Sequence, residues 1–410
     1  MGLTTTLKKI AEKSTFMRVI MRNTRTFLLK VRYLLRGIGE RTDPKLVIFG
    51  AYNGKSYACS PRAVYEFMIA DERFADYRFV WLFDKPEDYR FLEENPNTRV
   101  VKNRSAECEK YLHRAKHWIF NFRALDHWLP KRNQVYVQCW HGTPLKRLGY
   151  DITNSDNAMN SISEIRSKYR IDTKRFDWLT SSCPFVTEKF SSAWNLKGFG
   201  KENTILETGY PRNDFLNTYT QSDVTRIKAA LGLDGCEKKI ILYAPTWRDN
   251  QHDAKNGYVY ESPVDFDLLK EQLAEDYIIL FRAHYLVADN FDFKAYEGFV
   301  YNVSDYDDIN ELYIISDMLI TDYSSVFFDY AILRRPMFFY MYDMEEYRDE
   351  MRGFYLDISE LPGPIVTTEE ELVNALENAD FDEEKVKAFN EVYNSLNDGK
   401  AAERLVNHLF

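Results

Sequence analysis

The stretch Asp317-Met318-Leu319-Ile320-Thr321-Asp322-Tyr323-Ser324-Ser325-Val326-Phe327-Phe328-Asp329-Tyr330-Ala331 decides how the rest of the chain is organised. Met318-Leu319-Ile320 is continuously apolar, the pattern of a strand buried on both faces. From Val326 the spacing changes: Val326, Phe327, Tyr330 and Leu333 fall three or four apart, on one face of a helix. Ser324 and Ser325 stand where that helix starts, a position at which a hydroxyl caps unsatisfied backbone N–H groups. A strand running through Thr-Asp-Tyr-Ser-Ser into a helix gathers hydroxyls and amides at a positive dipole end, which suits a phosphate or diphosphate. An ordinary capped helix without a ligand has the same spacing, and spacing alone does not separate the two.

Working outward, strand and helix alternate on both sides. Upstream, strands are expected at Leu46–Gly50, Arg78–Phe83, Thr98–Val101, His117–Phe120, Gln134–Cys139 and Trp178–Thr180, with a further one ending near Glu207. After residue 235 the scheme repeats at Lys239–Ala244, Tyr277–Arg282, Phe299–Asn302, Met318–Ile320 and Met337–Tyr340. Such alternation predicts parallel, doubly wound sheets, so the fold class is α/β with two Rossmann-like domains facing a cleft. The divisions expected are a basic segment over residues 1–40, a first domain over 41–220 and a second over 221–410. Ligands of open parallel sheets sit at the carboxyl ends of strands. Gly50 to Ser56 invites a phosphate-loop reading, but Gly-x-x-x-Gly-Lys-Ser is one residue short of that spacing, and the ATPase reading is rejected.

Composition narrows the class. A hydrophobic fraction of 45% and an aromatic fraction of 15% allow large cores, and a net charge of −9 argues against a general nucleic-acid binder. The cysteines Cys59, Cys108, Cys139, Cys183 and Cys236 include no Cys-x-x-Cys pair, which fits a reducing compartment rather than a disulfide framework or a zinc site. No His/Cys/Asp cluster has transition-metal spacing, so no metal or other cofactor is expected. The first forty residues stand apart. Lys8, Lys9, Lys13, Arg18, Arg22, Arg25, Lys30, Arg32 and Arg36 are set against Glu12 alone, with apolar residues at helical spacing among them. A basic amphipathic helix on an acidic protein predicts association with an anionic membrane surface, hence a peripheral position on the cytoplasmic face. The competing reading packs this helix on its own domain or on a partner subunit, and a homo-oligomer stays possible.

Several long blocks carry a family resemblance. Thr321 to Leu356, Cys139-Trp140-His141-Gly142-Thr143-Pro144-Leu145-Lys146, Tyr243-Ala244-Pro245-Thr246-Trp247-Arg248-Asp249 and the Gly54-Lys55-Ser56-Tyr57 turn resemble, in order, the CDP-glycerol glycerophosphotransferases of teichoic acid and capsular polymer synthesis. The resemblance implies a GT-B architecture and transfer of glycerol phosphate from CDP-glycerol to a hydroxyl on a lipid-linked saccharide or polyol-phosphate polymer, with release of CMP. Alternatives are a CDP-ribitol donor, a GT-B glycosyltransferase using a nucleotide sugar, and a non-catalytic scaffold. His141 lies at a strand's carboxyl end beside Gly142, which permits close approach. The resemblance makes it the candidate general base. It also places the Arg282/His284 pair near the donor diphosphate, with His284 counted as catalytic beside His141. Arg248 is expected to be a phosphate ligand, since a guanidinium binds phosphate bidentately. Thr321, Ser324 and Ser325 complete the expected donor site. Asp329, one turn beyond Ser325, is expected to accept a ribose or glycerol hydroxyl.

Overall fold

Seven apolar runs pair into one fully parallel sheet: β1 (Asp43–Gly50), β2 (Arg78–Phe83), β3 (Thr98–Lys102), β4 (Ala115–Phe120), β5 (Val135–Gln138), β6 (Trp178–Ser181) and β7 (Ile205–Glu207). Their order is β3-β2-β1-β4-β5-β6-β7. The computed structural model describes residues 15–153, 161–246, 252–253, 257–258, 264–283, 291–344, 353–378 and 381–410. A short antiparallel ladder, β9 (His252–Asp253) with β10 (Gly257–Tyr258), precedes the remaining strands of a second sheet. That sheet holds β8 (Lys239–Ala244), β11 (Tyr277–Phe281), β12 (Val300–Asn302), β13 (Met318–Thr321), β14 (Met337–Tyr340) and β15 (Ile365–Val366). It is also parallel, in the order β12-β11-β8-β13-β14-β15.

Both sheets are covered on two faces, which is why their strands read as continuous apolar runs. Within β1, Leu46 and Ile48 join one core while Val47 and Phe49 join the opposite one. Within β8, Ile240 and Leu242 face one core and Ile241 and Tyr243 the other. Each such side chain contributes about 1.5–3 kcal/mol on full burial. Strand order reverses between β1 and β4 and again between β8 and β13, and these switch points open crevices at the carboxyl ends.

The last helix, Ala401–Leu409, follows the second sheet in sequence but packs on the first. Leu405 and Val406 are buried in the core of Val47, Phe49, Trp81 and Val137, and Phe410 lies against Phe74 and His117. Asp214 accepts the N–H groups of Ala401 (2.9 Å) and Ala402 (2.8 Å), holding the helix start. Chain order alone grouped these residues with the second half; the apolar face of the helix finds its partner on the first.

The short elements differ from expectation. The helix after β13 runs only from Val326 to Tyr330, then tightens into a 3-10 turn at Ala331–Leu333 and stops at Arg334, whose φ is +52°. The two-residue strands β9, β10 and β15 are additional to the expected ones, being too short to show any period.

Candidate active site

β5 ends at Gln138, and the chain turns sharply at Trp140, which adopts φ +51°. A left-handed tryptophan costs about 1–2 kcal/mol. It is held by the Gln138 side-chain carbonyl, which accepts the Trp140 N–H at 2.9 Å, and by an edge-on contact with Trp194 at 4.9 Å. The turn presents His141 to the cleft, its ring stacked on Trp140 at 4.3 Å.

The Asn121 carbonyl lies 3.0 Å from His141 Nδ1. A carbonyl only accepts, so Nδ1 carries the proton and Nε2 keeps its lone pair. Crowding by the cleft walls, and after it the nearby Arg212 charge, push the imidazole down to about 4. The ring edge is open to the cleft, and water there limits that desolvation. His141 is therefore neutral at physiological pH.

Opposite stands the second half. Thr246 follows β8, Arg282 follows β11, and Ser324 and Ser325 follow β13, so all four sit at strand carboxyl ends around the β8/β13 switch point. A cleft of about 440 Å³ is lined from the first half by Trp140, His141, Gly142 and Thr143, and from the second by Thr246, Arg282, Ser324 and Ser325. The walls are close: a methyl group on Gly142 would lie 3.6 Å from Ser325 Oγ and 3.2 Å from Arg212 Nη2.

Arg282 anchors one end of its guanidinium by donating from Nη1 to the carbonyls of Val303 (3.0 Å) and Tyr306 (2.6 Å). Burial draws its pKa downward, but an arginine stays charged at neutral pH. Ser325 occupies the N-cap position yet makes no side-chain cap bond, so the expected capping role is absent and its hydroxyl faces the cleft. With only five residues in the helix, its dipole adds less than a long helix would.

Two of the expected ligands do not line the cleft. Thr321 is fully buried, and its hydroxyl donates to the Ala244 carbonyl at 2.8 Å, tying β13 to β8. Asp329 is buried as well, and its oxygens accept from Arg212 Nη2 and from Asn213 Nδ2 (2.8 Å). The side chain thus points toward the first half, where Arg212 and Asn213 occupy its oxygens. Arg248 and His284 lie outside the described residues.

Two residues near the site escaped the sequence reading. Thr143 lines the cleft, and its buried hydroxyl has no hydrogen-bond partner among the described residues. Arg212 is 7% exposed and donates from Nη1 to the His141 carbonyl at 2.6 Å. Thr143 lies within the Trp140–Lys146 block and was open to selection there. Arg212, in a Gly-Tyr-Pro-Arg-Asn-Asp turn, carries no signal of burial.

Comparison with known proteins agrees with this geometry. The family model described as CDP-Glycerol:Poly(glycerophosphate) glycerophosphotransferase matches residues 33–410. The chain belongs to this family. A teichoic acid poly(glycerol phosphate) polymerase of Bacillus spizizenii is 39% identical over 387 residues, covering 93% of this chain and 96% of the relative. A teichoic acid poly(ribitol-phosphate) polymerase of the same species is 31% identical over 291 residues, covering 68% and 44%. Among solved structures, the wall teichoic acid polymerase TagF, as a histidine variant soaked with CDPG, superposes with a TM-score of 0.83 at 36% identity, covering 96% of each chain. Membership in the glycerophosphotransferase family and the two-sheet arrangement thus stand together.

Proposed function

We propose that the chain transfers glycerol phosphate from CDP-glycerol to a hydroxyl of a lipid-linked saccharide or polyol-phosphate polymer, and that His141 is its general base. One observation carries the reading: His141 Nε2, its lone pair set by the Nδ1–H bond to Asn121, faces Ser324, Ser325 and Arg282 across one cleft. His141 takes the proton of the acceptor hydroxyl as that oxygen attacks the phosphorus bearing glycerol. A new P–O bond forms, the bond to the bridging oxygen breaks, and CMP leaves with the electron pair. Arg282, Ser324, Ser325 and Thr143 are suited to hold the diphosphate through charge and hydroxyl contacts. A positioned base supplies about 10²–10⁴-fold in rate. Greater identity to the glycerol-phosphate relative than to the ribitol-phosphate relative favours glycerol in the donor. The test is mass analysis of products after incubating the protein and His141→Ala with CDP-glycerol, CDP-ribitol or a nucleotide sugar and a lipid disaccharide. Glycerol-phosphate addition by the parent but not the variant is expected; addition of a sugar instead rejects the reading.

The N-terminal helix supports a membrane role for the same protein. Helix Thr15–Arg36 docks on the first domain through buried Tyr33, whose ring lies 4.0 Å from His113, and through Arg32 and Arg36, which both bond Glu109. Phe27, Leu28, Val31, Leu34, Leu35 and Ile38 remain exposed on one side, flanked by Arg25 and Lys30. Among the described residues no helix is long and apolar enough to cross a membrane. The occupant that suits this apolar and basic face is an anionic lipid surface, each cation adding about 1 kcal/mol. In sedimentation with phosphatidylglycerol vesicles, Leu28→Glu/Leu35→Glu should remain in the supernatant; equal binding by variant and parent rejects the lipid surface.

A further inference from the structure

Arg212 belongs to the first half of the chain, and its contacts run in two directions. Toward the base, Nη1 donates to the His141 carbonyl at 2.6 Å, and Tyr210 donates its hydroxyl to the Gly142 carbonyl at 3.0 Å. Toward the other half, Nη2 pairs with Asp329, which also accepts from Asn213 Nδ2 at 2.8 Å. Asn310, from the second half, donates to the Arg212 carbonyl at 2.5 Å. Asp329 lies on the short helix that opens with Ser325, so one ion pair joins the base's loop to the helix carrying the donor-site hydroxyls. Both side chains are almost fully buried. A buried pair of this kind is weak evidence for stability, because desolvation offsets most of its attraction. What it does offer is geometry: two donors of a planar fork fix two partners at once.

We infer that Arg212 is a positioning residue for His141, holding the catalytic loop in register with the Ser324–Ser325 helix through Asp329, so that base and donor site are aligned only while the two halves are closed. This rests on His141 being the base. Neither side chain lines the cleft, so the effect passes through the backbone of His141 and through the field on its ring. Arg212 also lowers the His141 pKa, and Asp329 offsets part of that charge.

The field gives the inference a signature that a simple packing role lacks. In Arg212→Gln the His141 ring should titrate at higher pH than in the parent. In Asp329→Asn, where the guanidinium loses its counter-charge, it should titrate lower. Arg212→Lys keeps the charge but not the fork, so its ring titration stays near parental while turnover falls. NMR titration of the His141 ring reads these shifts without needing catalysis. For Arg212→Gln, kcat should fall about tenfold to hundredfold, as expected of a misplaced reacting group, with KM for CDP-glycerol moving less than about threefold. Should either single variant fail to fold, as circular dichroism melts would show, Arg212→Gln/Asp329→Asn removes both buried charges and should still lose turnover. Parental kcat and an unmoved ring titration in Arg212→Gln or in the double variant overturn the inference. Parental activity in His141→Ala instead overturns the assignment of the base, so the two failures are distinguishable.

Discussion

Acid should reach the base late. An ordinary histidine titrates near 6.5, whereas the cleft walls and Arg212 push His141 down toward about 4, a value that water at its exposed ring edge makes the lower bound. Only the unprotonated ring can take the acceptor's proton, so activity follows the neutral fraction and is lost as pH falls through the folded pKa. At pH 6 an ordinary histidine is about 25% neutral, but one with a pKa of 4 is about 99% neutral. At pH 5 the corresponding fractions are about 3% and about 90%. The donor's phosphates add no limb, because both are esterified on each side and have no second ionisation near neutrality; its cytosine ring takes a proton only at the acid end of the range, so the plateau above about 5.5, and not the limb itself, reports on His141. The assay is kcat/KM between pH 4 and 8 with CDP-glycerol varied and acceptor fixed, in buffers of constant ionic strength. A plateau from pH 8 down to about 5.5, then a single acid limb, is expected. A limb with a midpoint between 6 and 7 would refute the argument that the cleft desolvates this ring.

Other consequences follow from single contacts. Ser325→Ala should raise KM for CDP-glycerol about tenfold or more, since a hydrogen bond to a charged group contributes about 1.5–3 kcal/mol. Its melting temperature should stay unchanged, because the hydroxyl caps nothing. His117 is held down to about 4, by burial first and Lys116 second, so the folded state binds fewer protons than the unfolded one between about 6.5 and 4. Its contribution is intact above about 6.5 and is lost as pH falls toward 4; a His117→Gln variant should lack up to about 3 kcal/mol of that acid sensitivity in urea melts. Arg62 joins the halves by pairing with Asp308 (3.4 Å) and Glu311 (3.0 Å). Arg62→Ala removes the arginine from Asp308, while Glu311 keeps Arg226 (3.2 Å) and the Tyr306 hydroxyl (2.5 Å), and should cost about 1–3 kcal/mol, read as a lower urea midpoint.

Local pattern was enough for the longer strands, though not for the two-residue strands β9, β10 and β15. Lys239–Ala244 and Met337–Tyr340 are strands with the bounds their apolar runs suggest, because strands buried on both faces cannot afford a polar interruption. The cleft followed too: His141, Arg282, Ser324 and Ser325 each end or follow a strand, and parallel sheets put those ends on one side. Asp329 shows where local reasoning stops. Helical spacing put it one turn past Ser325, but whether that face meets ligand or protein depends on what the other half brings there.

Residue order thus determined the two parallel sheets, the ends at which ligands gather and the family to which the chain belongs, since all three depend on neighbours along the chain. Tertiary structure alone decided that Asp329 holds Arg212, that Ser325 leaves its helix uncapped, and that the final helix returns to the first sheet. Those outcomes depend on contacts between residues more than a hundred positions apart, such as Arg212 with Asp329 and Asp214 with Ala401. A buried charge takes the partner that closure of the two halves supplies, and no periodicity in the sequence encodes that meeting.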